Sequence, residues 1–373
     1  MIIVLPTPQI ASSVSDGFDH SGESNQSGPW IPTFPRIVFT GPVAEAGASA
    51  PAAPALARRR ARRKAVWRRR GTVLLFMSPW LVGFSVFFGY PLVMSAYFSF
   101  THYDLLSPPR WVGTANYRYL FGADPQAWPA IKNTLWFIAI AVPLQVLFAF
   151  GVGLMLAHAK HAKGFFRAVF FLPALVPPVA ATLGFVYLLN PETGPVASGL
   201  DKLGIQSPLW FHSPAWAKPS LLLLALWGVG NTMIIFLAAI LDAPKQLYES
   251  AELDGAGVWR RMRWVTIPSI SPVILFAVVI GMIQALQYFT QAYVAANVAA
   301  GGASQAGSNE ITVGYPENST LFFPVLLYQH GFRYFNMGYA SAMAMVLLAA
   351  AFVLTLAIIL TSRKWVHYQG ATR

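Results

Sequence analysis

Cysteine is absent from this chain, which excludes disulfides, cysteine-ligated zinc and thiol catalysis and leaves the redox compartment open. Charge is scarce as well. Only 11% of residues are charged, and 14 acids face 26 Lys and Arg, for a net +12. No glycine-rich run ends in Gly-Lys-Ser/Thr, so the chain carries no phosphate-binding loop of its own. No nucleophile–base constellation is legible. His158 and His161 stand at helical spacing, but beside Lys160 and Lys163 at a helix end they read as an interfacial cap before they read as metal ligands. No segment between apolar runs is long enough to fold as an independent soluble domain.

What remains is apolar. Hydrophobic residues make up 55% of the chain, with 27 Phe and 12 Trp, and the mean hydropathy is +0.51. Six windows contain no Lys, Arg, Asp or Glu: 73–100, 133–157, 168–189, 219–241, 266–298 and 335–361. Each is long enough to cross a bilayer, which takes about 20 residues. The fold class is therefore all-α, a polytopic membrane protein of six transmembrane helices. Pro91, Pro143 and the group Pro173, Pro177 and Pro178 interrupt the first three windows. Proline within a span is tolerated where neighbouring helices satisfy the freed backbone, so these prolines predict bends inside a bundle.

Numbering the intervening segments alternately puts 20 of the 26 Lys and Arg on one side, together with both termini. By the bias of positive charge this side is cytoplasmic. The run RRRARRKAVWRRR, Arg58 to Arg70, holds nine cations in thirteen residues. It ends where the first apolar window begins and has no aromatic platform for bases. It reads as an anchor on anionic membrane lipid and not as a nucleic-acid site. Ahead of it, residues 1–56 are rich in Ser, Gly, Pro and Ala without periodicity, which predicts disorder. Its MIIVLP start lacks the basic region and the apolar length of a signal peptide. The expected organisation is a disordered basic tail over 1–70, a membrane domain over 71–365 and a short cytoplasmic tail over 366–373.

One cytoplasmic hinge is unusually charged. Between Tyr248 and Pro272, YESAELDGAGVWRRMRWVTIPSISP holds Glu249, Glu252, Asp254, Arg260, Arg261 and Arg263. Asp242 suits an N-cap and Pro244 a first turn. Helix formers follow, with Leu247, Tyr248 and Ala251 on one face. Gly255 and Gly257 then break the helix, and a second one starts at Arg260 and runs through Pro268 into the fifth window. A helix lying on lipid would be basic. This one is acidic in its first half and suits a protein partner.

The stretch resembles the EAA loop of the inner-membrane permease subunits of binding-protein-dependent ABC importers. The family pattern reads here Glu249-Ser250-Ala251, Glu252-Leu253, Asp254-Gly255-Ala256, closed by Ile267-Pro268; Ser250 and Ile267 depart from the usual Ala and Leu. Tyr90 to Phe121, Pro316 to Ala344 and the ending SRKWVHYQG are similar to carbohydrate-uptake permeases of the maltose and glycerol-phosphate transporter kind. The resemblance covers the chain from about residue 70 onward. It implies the type I ABC importer permease fold and the first (MalF-like) subunit of a heterodimeric pair. Its partners would be a second (MalG-like) permease, a dimeric ATP-binding-cassette ATPase and an extracytoplasmic solute-binding protein. The chain itself would bind no cofactor, ATP and magnesium being held by the ATPase, and would sit in a bacterial inner membrane. Glu249, Ser250, Ala251, Asp254, Gly255, Ala256 and Pro268 would then couple ATP hydrolysis to the spans.

Polar side chains within spans are expensive and are functional candidates by default. Gln284, Gln287 and Gln291 fall on one helical face of the fifth window, with Tyr288 beside them, and Asn231 follows Trp227-Gly228-Val229-Gly230 in the fourth. One reading is glue between helices, with the glycines allowing close packing. The other follows from the resemblance: Gly228, Asn231, Gln284 and Gln287 match positions where maltose-type permeases hold sugar near mid-membrane. The absence of charge in the windows argues against a fixed counter-ion or proton coupling. The competing functional class is an autonomous six-helix secondary transporter or channel, which calls for intramembrane acids or an inverted repeat. A membrane-anchored scaffold or enzyme would need a catalytic constellation or a soluble domain.

Overall fold

The computed structural model describes residues 55–301 and 313–367, with side chains from residue 70 onward. Residues 1–54, expected to be disordered, lie outside the described residues, as do 302–312 and 368–373. The chain divides at Val73 into two units. In the first, the described part is helical from Ala55, so the basic run that the sequence placed in a disordered tail is helix. The account below concerns the second unit, Leu74–Arg373, and the helix that leads into it.

Among the described residues, three helices are long and apolar enough to cross a membrane: Arg70–Phe98, Ala127–His158 and Met337–Ser362. They are the first, second and sixth spans. Three bent pairs supply the others. Lys163–Leu175 and Pro178–Leu188 meet at 102°, Pro214–Trp227 and Gly230–Asp242 at 48°, and Val258–Ser269 and Ser271–Leu286 at 69°. Large apolar side chains such as Phe76, Phe87 and Met155 stand 82%, 76% and 74% exposed, an arrangement that lipid accommodates and water does not.

In the first four spans the breaks have local causes. In the first span a π-helical turn, Ser85–Gly89, stands ahead of Pro91, whose missing N–H removes a rung of the ladder. Pro143 leaves the second span unbroken. Pro177 and Pro178 fix the bend of the third, as the sequence predicts. The fourth breaks at Gly228 and Val229, within the run read as a packing motif, and the glycines serve both ends. A Cβ on Gly230 would lie 2.7 Å from the Phe170 carbonyl and 2.9 Å from Phe171 Cα, so the third and fourth spans touch backbone to backbone there.

The fifth window departs most from expectation. In place of one helix over 266–298, the Ser271–Leu286 leg ends at Gln287 and a separate helix runs over Thr290–Ala299. Neither Pro nor Gly stands at this second break. Tertiary packing makes it: the Tyr288 ring lies 4.4 Å from Phe137 and 5.7 Å from Phe322, and Phe289 stacks 5.4 Å from Tyr293.

The second span is the central post. It packs along the Gly230–Asp242 and Ser271–Leu286 legs and divides the core into two clusters. One surrounds Phe137, Tyr288 and Phe322, the other Met233, Phe236 and Ile270. Away from the 242–268 loop, buried polar groups lace the span ends together. Asn133 donates to the carbonyls of Asn318 and Leu321 at 2.7 and 3.0 Å and accepts from Lys218 at 3.1 Å. Tyr339 of the sixth span donates to Asp124 at 2.5 Å. The described strands are a two-residue antiparallel pair, β1 Thr101–His102 and β2 Arg110–Trp111, in register Thr101 to Trp111.

Because backbone fills the space beside Gly230, Gly230→Val is expected to destabilise the bundle by about 1–3 kcal/mol. Thermal unfolding of the purified chain in detergent measures this, and an unchanged melting temperature would contradict the close approach.

Candidate functional site

The charged hinge folds as two helices joined by a capped turn. Asp242 is the last residue of the fourth span, not an N-cap, and Pro244 takes the N-cap position of the next helix, Lys245–Leu253. The proline lies one place earlier than the sequence suggested because Ala243 is already extended, at ψ 134°. That helix ends in a Schellman motif. The N–H of Ala256 donates to the Ala251 carbonyl at 2.9 Å and the N–H of Gly255 to that of Glu252 at 3.0 Å, so the last carbonyls are satisfied by the turn itself. Gly255 holds φ +71°, the left-handed conformation that costs an L-residue about 1–2 kcal/mol.

The second helix begins at Val258, widens through the π turn Met262–Thr266 and ends at Ser269. Two side-chain contacts hold it against the first. Arg261 pairs with Glu252, and the Tyr248 hydroxyl donates to Thr266 Oγ1 at 3.0 Å. Of the expected apolar face, Tyr248 and Ala251 are half-buried and Leu247 is exposed. Glu249, Ser250, Asp254 and Gly255 are exposed, while Ala256 and Pro268 are half-buried. The Pro268 carbonyl accepts from Ser271 Oγ at 2.8 Å, and that oxygen accepts from the His367 N–H at 2.9 Å. The bend into the fifth span is therefore tied to the end of the sixth, a link no sequence signal announced.

The breaks in the third, fourth and fifth spans border a cavity of about 390 Å³. It brings together Gly228, Gln284, Gln287 and Tyr288 of the five residues read as a solute path. Gln291 joins them from the Thr290–Ala299 helix, so the three glutamines converge across a break and not along one helical face. Asn231 does not line the cavity. It is exposed, and Thr232 takes the inward place because the helix restarts at Gly230 with a new phase. Two further lining residues escaped the sequence reading, Gln145 of the second span and Trp227 beside the break. Gln145 had a signal, a lone amide within an apolar run. Tyr288 is buried, with its hydroxyl 3.4 Å from the Leu221 carbonyl. The lining offers amide and hydroxyl groups beside aromatic faces, with no Asp, Glu, His, Lys or Arg among the described residues. Nor do the described residues hold any group of three or more metal-ligating side chains.

Known proteins resemble this chain in sequence and fold. The family model for the binding-protein-dependent transport system inner membrane component matches residues 149–366, which takes in the loop and the cavity's fourth- and fifth-span walls. The chain belongs to this family. It is a membrane-embedded permease component of an ABC transporter, a transport part and not a catalytic subunit. Relatives include the probable ABC transporter permease protein YesP of Bacillus subtilis, 34% identical over 79% of this chain and 91% of that protein. The lactose transport system permease protein LacF of Rhizobium radiobacter is 32% identical, over 75% and 90% respectively. Among solved structures, a chain of a bacterial ABC transporter involved in the import of the acidic polysaccharide alginate superposes with a TM-score of 0.64 at 22% identity. That match covers 81% of this chain and 99% of the other. The fold is that of a type I ABC importer permease.

The Tyr248 to Thr266 bond joins the two loop helices of this permease, and Tyr248→Phe removes it at a cost of about 0.5–1.5 kcal/mol. The expected outcome is faster amide exchange over residues 258–266 with the spans unchanged. Equal exchange in that segment would show that the bond does not join them.

Proposed function

We propose that this permease forms half of the membrane path for a neutral sugar, in an ATP-driven importer completed by a second permease, an ATPase dimer and an extracytoplasmic solute-binding protein. The observation that carries the solute class is the cavity's lining. Four glutamines, a threonine and the rings of Trp227, Phe137 and Tyr288 face it, and among the described residues no charged group does. Sugar hydroxyls require paired donors and acceptors when they leave water, and sugar C–H faces pack against aromatic rings. An acidic sugar would require a cationic partner that this lining does not offer. Relatives named for lactose and arabinooligosaccharides support a carbohydrate.

The same reading places both termini and the 242–268 loop in the cytoplasm, supported by the excess of Lys and Arg on that side. The loop docks on the ATPase through Glu249 and Asp254, and the Gly255 turn sets the angle between its helices. The autonomous transporter reading loses its ground with the family assignment.

Uptake of labelled sugars into cells lacking the native gene and complemented with the variant tests the solute class. Gln284→Leu and Gln287→Leu are each expected to lower uptake by about tenfold or more, the effect of an unpaired buried hydroxyl, with membrane insertion intact. Uptake confined to acidic sugars would overturn the neutral-solute reading.

A side chain at Gly255 meets no neighbour within 4 Å, so a substitution acts through the backbone alone. Gly255→Val is expected to insert normally and to leave ATP hydrolysis by the assembled complex running while uptake falls. Normal uptake in that variant would overturn the lever reading of the loop.

A further inference from the structure

Side-chain amides that bind this fold together are paired. Asn116 donates to the Ser99 and Thr101 carbonyls at 2.9 Å each, Asn297 to the Tyr293 carbonyl at 2.7 Å and Gln329 to the Tyr334 hydroxyl at 2.7 Å. Asn133 holds its two carbonyls in the same way. The cavity's Gln145, Gln284, Gln287 and Gln291 form no side-chain hydrogen bond to any described residue. An amide within a span that leaves its donors and acceptor open keeps them for water or for a group outside this chain.

Gln145 is set apart from the other three by its depth. Two contacts fix the levels of the second and fifth spans. The Phe137 and Tyr288 rings lie 4.4 Å apart, and a Cβ on Gly281 would lie 3.4 Å from Val142 Cγ1. Numbers rise along one span as they fall along the other, so Gln145 stands roughly 8 Å beyond Gln284 on the side of the charged loop, at 1.5 Å per residue. The second and fourth spans run side by side in one direction, with Gly153 against Met233 and Leu237. Gln145 is therefore about level with the break at Gly228 and Val229, where the Trp227 ring packs 5.4 Å from Phe185. Further towards the loop the two spans close over Phe150 and Phe236, whose rings are 5.9 Å apart, inside the second core cluster.

We propose that Gln145 and Trp227 form a second, inner station for the solute, the last polar contact before it leaves for the cytoplasm. This rests on the sugar path and the orientation proposed above. The inner station repeats the chemistry of the outer one, where Gln284 and Gln287 stand beside the Tyr288 ring: an amide for a hydroxyl, an aromatic face for the C–H side of the sugar. Its amide rises from the unbroken second span and not from either side of a break, so its depth is fixed by continuous helix. The polar lining is then a series and not one ring of contacts, and a sugar released by the outer amides finds replacement hydrogen bonds further in.

The chain contains no cysteine, so Gln145→Cys gives it a single thiol. The test is labelling of that variant by N-ethylmaleimide in the assembled transporter, with its solute-binding protein and ATP. The adduct at position 145 is read by peptide mass spectrometry, with and without the sugar that the uptake measurement shows to be carried. The expected result is an adduct whose formation the sugar slows about fivefold, at a concentration about four times half-saturating. No adduct would overturn the proposal, because the side chain is then covered by the second permease. Labelling at 145 that ignores the sugar, while Gln284→Cys is protected, would overturn the inner station and leave the outer path standing. Protection at neither position would overturn both. Protection at 145 by an acidic sugar alone would sustain the station and overturn the neutral-solute reading. Should Gln145→Cys fail to insert, Gln145→Leu decides: uptake is expected to fall about fivefold or more with the second permease still recovered in a pull-down. Unchanged uptake, or loss of the second permease, would overturn the proposal.

Discussion

A helix can be broken inside a bilayer only where protein covers the amides and carbonyls that the break sets free. Three of the six spans here are broken, and the rest of the architecture follows from how the breaks are covered. The unbroken second span lends Phe137 to the break at Gln287 and packs along the fourth and fifth spans on either side. At Gly230 the cover is closer still, backbone against backbone. The cavity is what the bends leave between them. Apart from Gln145 of the second span, its glutamines come from residues near the breaks, where an amide has somewhere to point other than lipid.

The same geometry joins the two sites. The leg Ser271–Leu286 has 16 residues, about 24 Å of helix at 1.5 Å per residue. Its first end is the 69° bend at Ile270 that receives the charged loop, and its last turn carries Gln284. The leg is continuous helix between these points, so on the proposed coupling role of the loop a displacement of its second helix would reach the cavity wall through this leg. The Schellman turn at Gly255 sits on the far side of that helix, where it sets the loop's own angle without touching the spans. The hydrogen bonds from Ser271 to Pro268 and from His367 to Ser271 add the end of the sixth span to the same joint.

The membrane class, the number of spans and the loop were legible because each rests on a long or dense signal. Charge-free windows mark spans, prolines mark the bend of the third, and Gly255 marks a turn that needs positive φ. The fine structure around the cavity was less so. The break at Gln287 has no local breaker, since it depends on Tyr288 entering an aromatic cluster built from Phe137 and Phe322, residues far away in sequence. Once that break is missed, helical phase carried across it misplaces neighbours. The break at Gly228 has the same effect on Asn231, which points outward while Thr232 points in. Asp242 was misread for a related reason: an N-cap and the last residue of the preceding helix differ by a single extended residue, Ala243, that composition does not reveal.

The cavity's chemistry also bears on where the work of transport enters. Proton or cation coupling requires a group within the path whose charge changes or whose oxygens hold an ion, and intramembrane acids are the usual choice. None lines this cavity among the described residues. A neutral amide lining also holds a sugar only moderately, because its hydrogen bonds replace equally good ones to water and the net gain of each is small. That suits a path, in which a solute must leave as readily as it enters. Such a site has no means of setting the direction of flow by itself. Direction has to be imposed by moving the walls, and two of those walls, the legs Gly230–Asp242 and Ser271–Leu286, run directly into the charged loop.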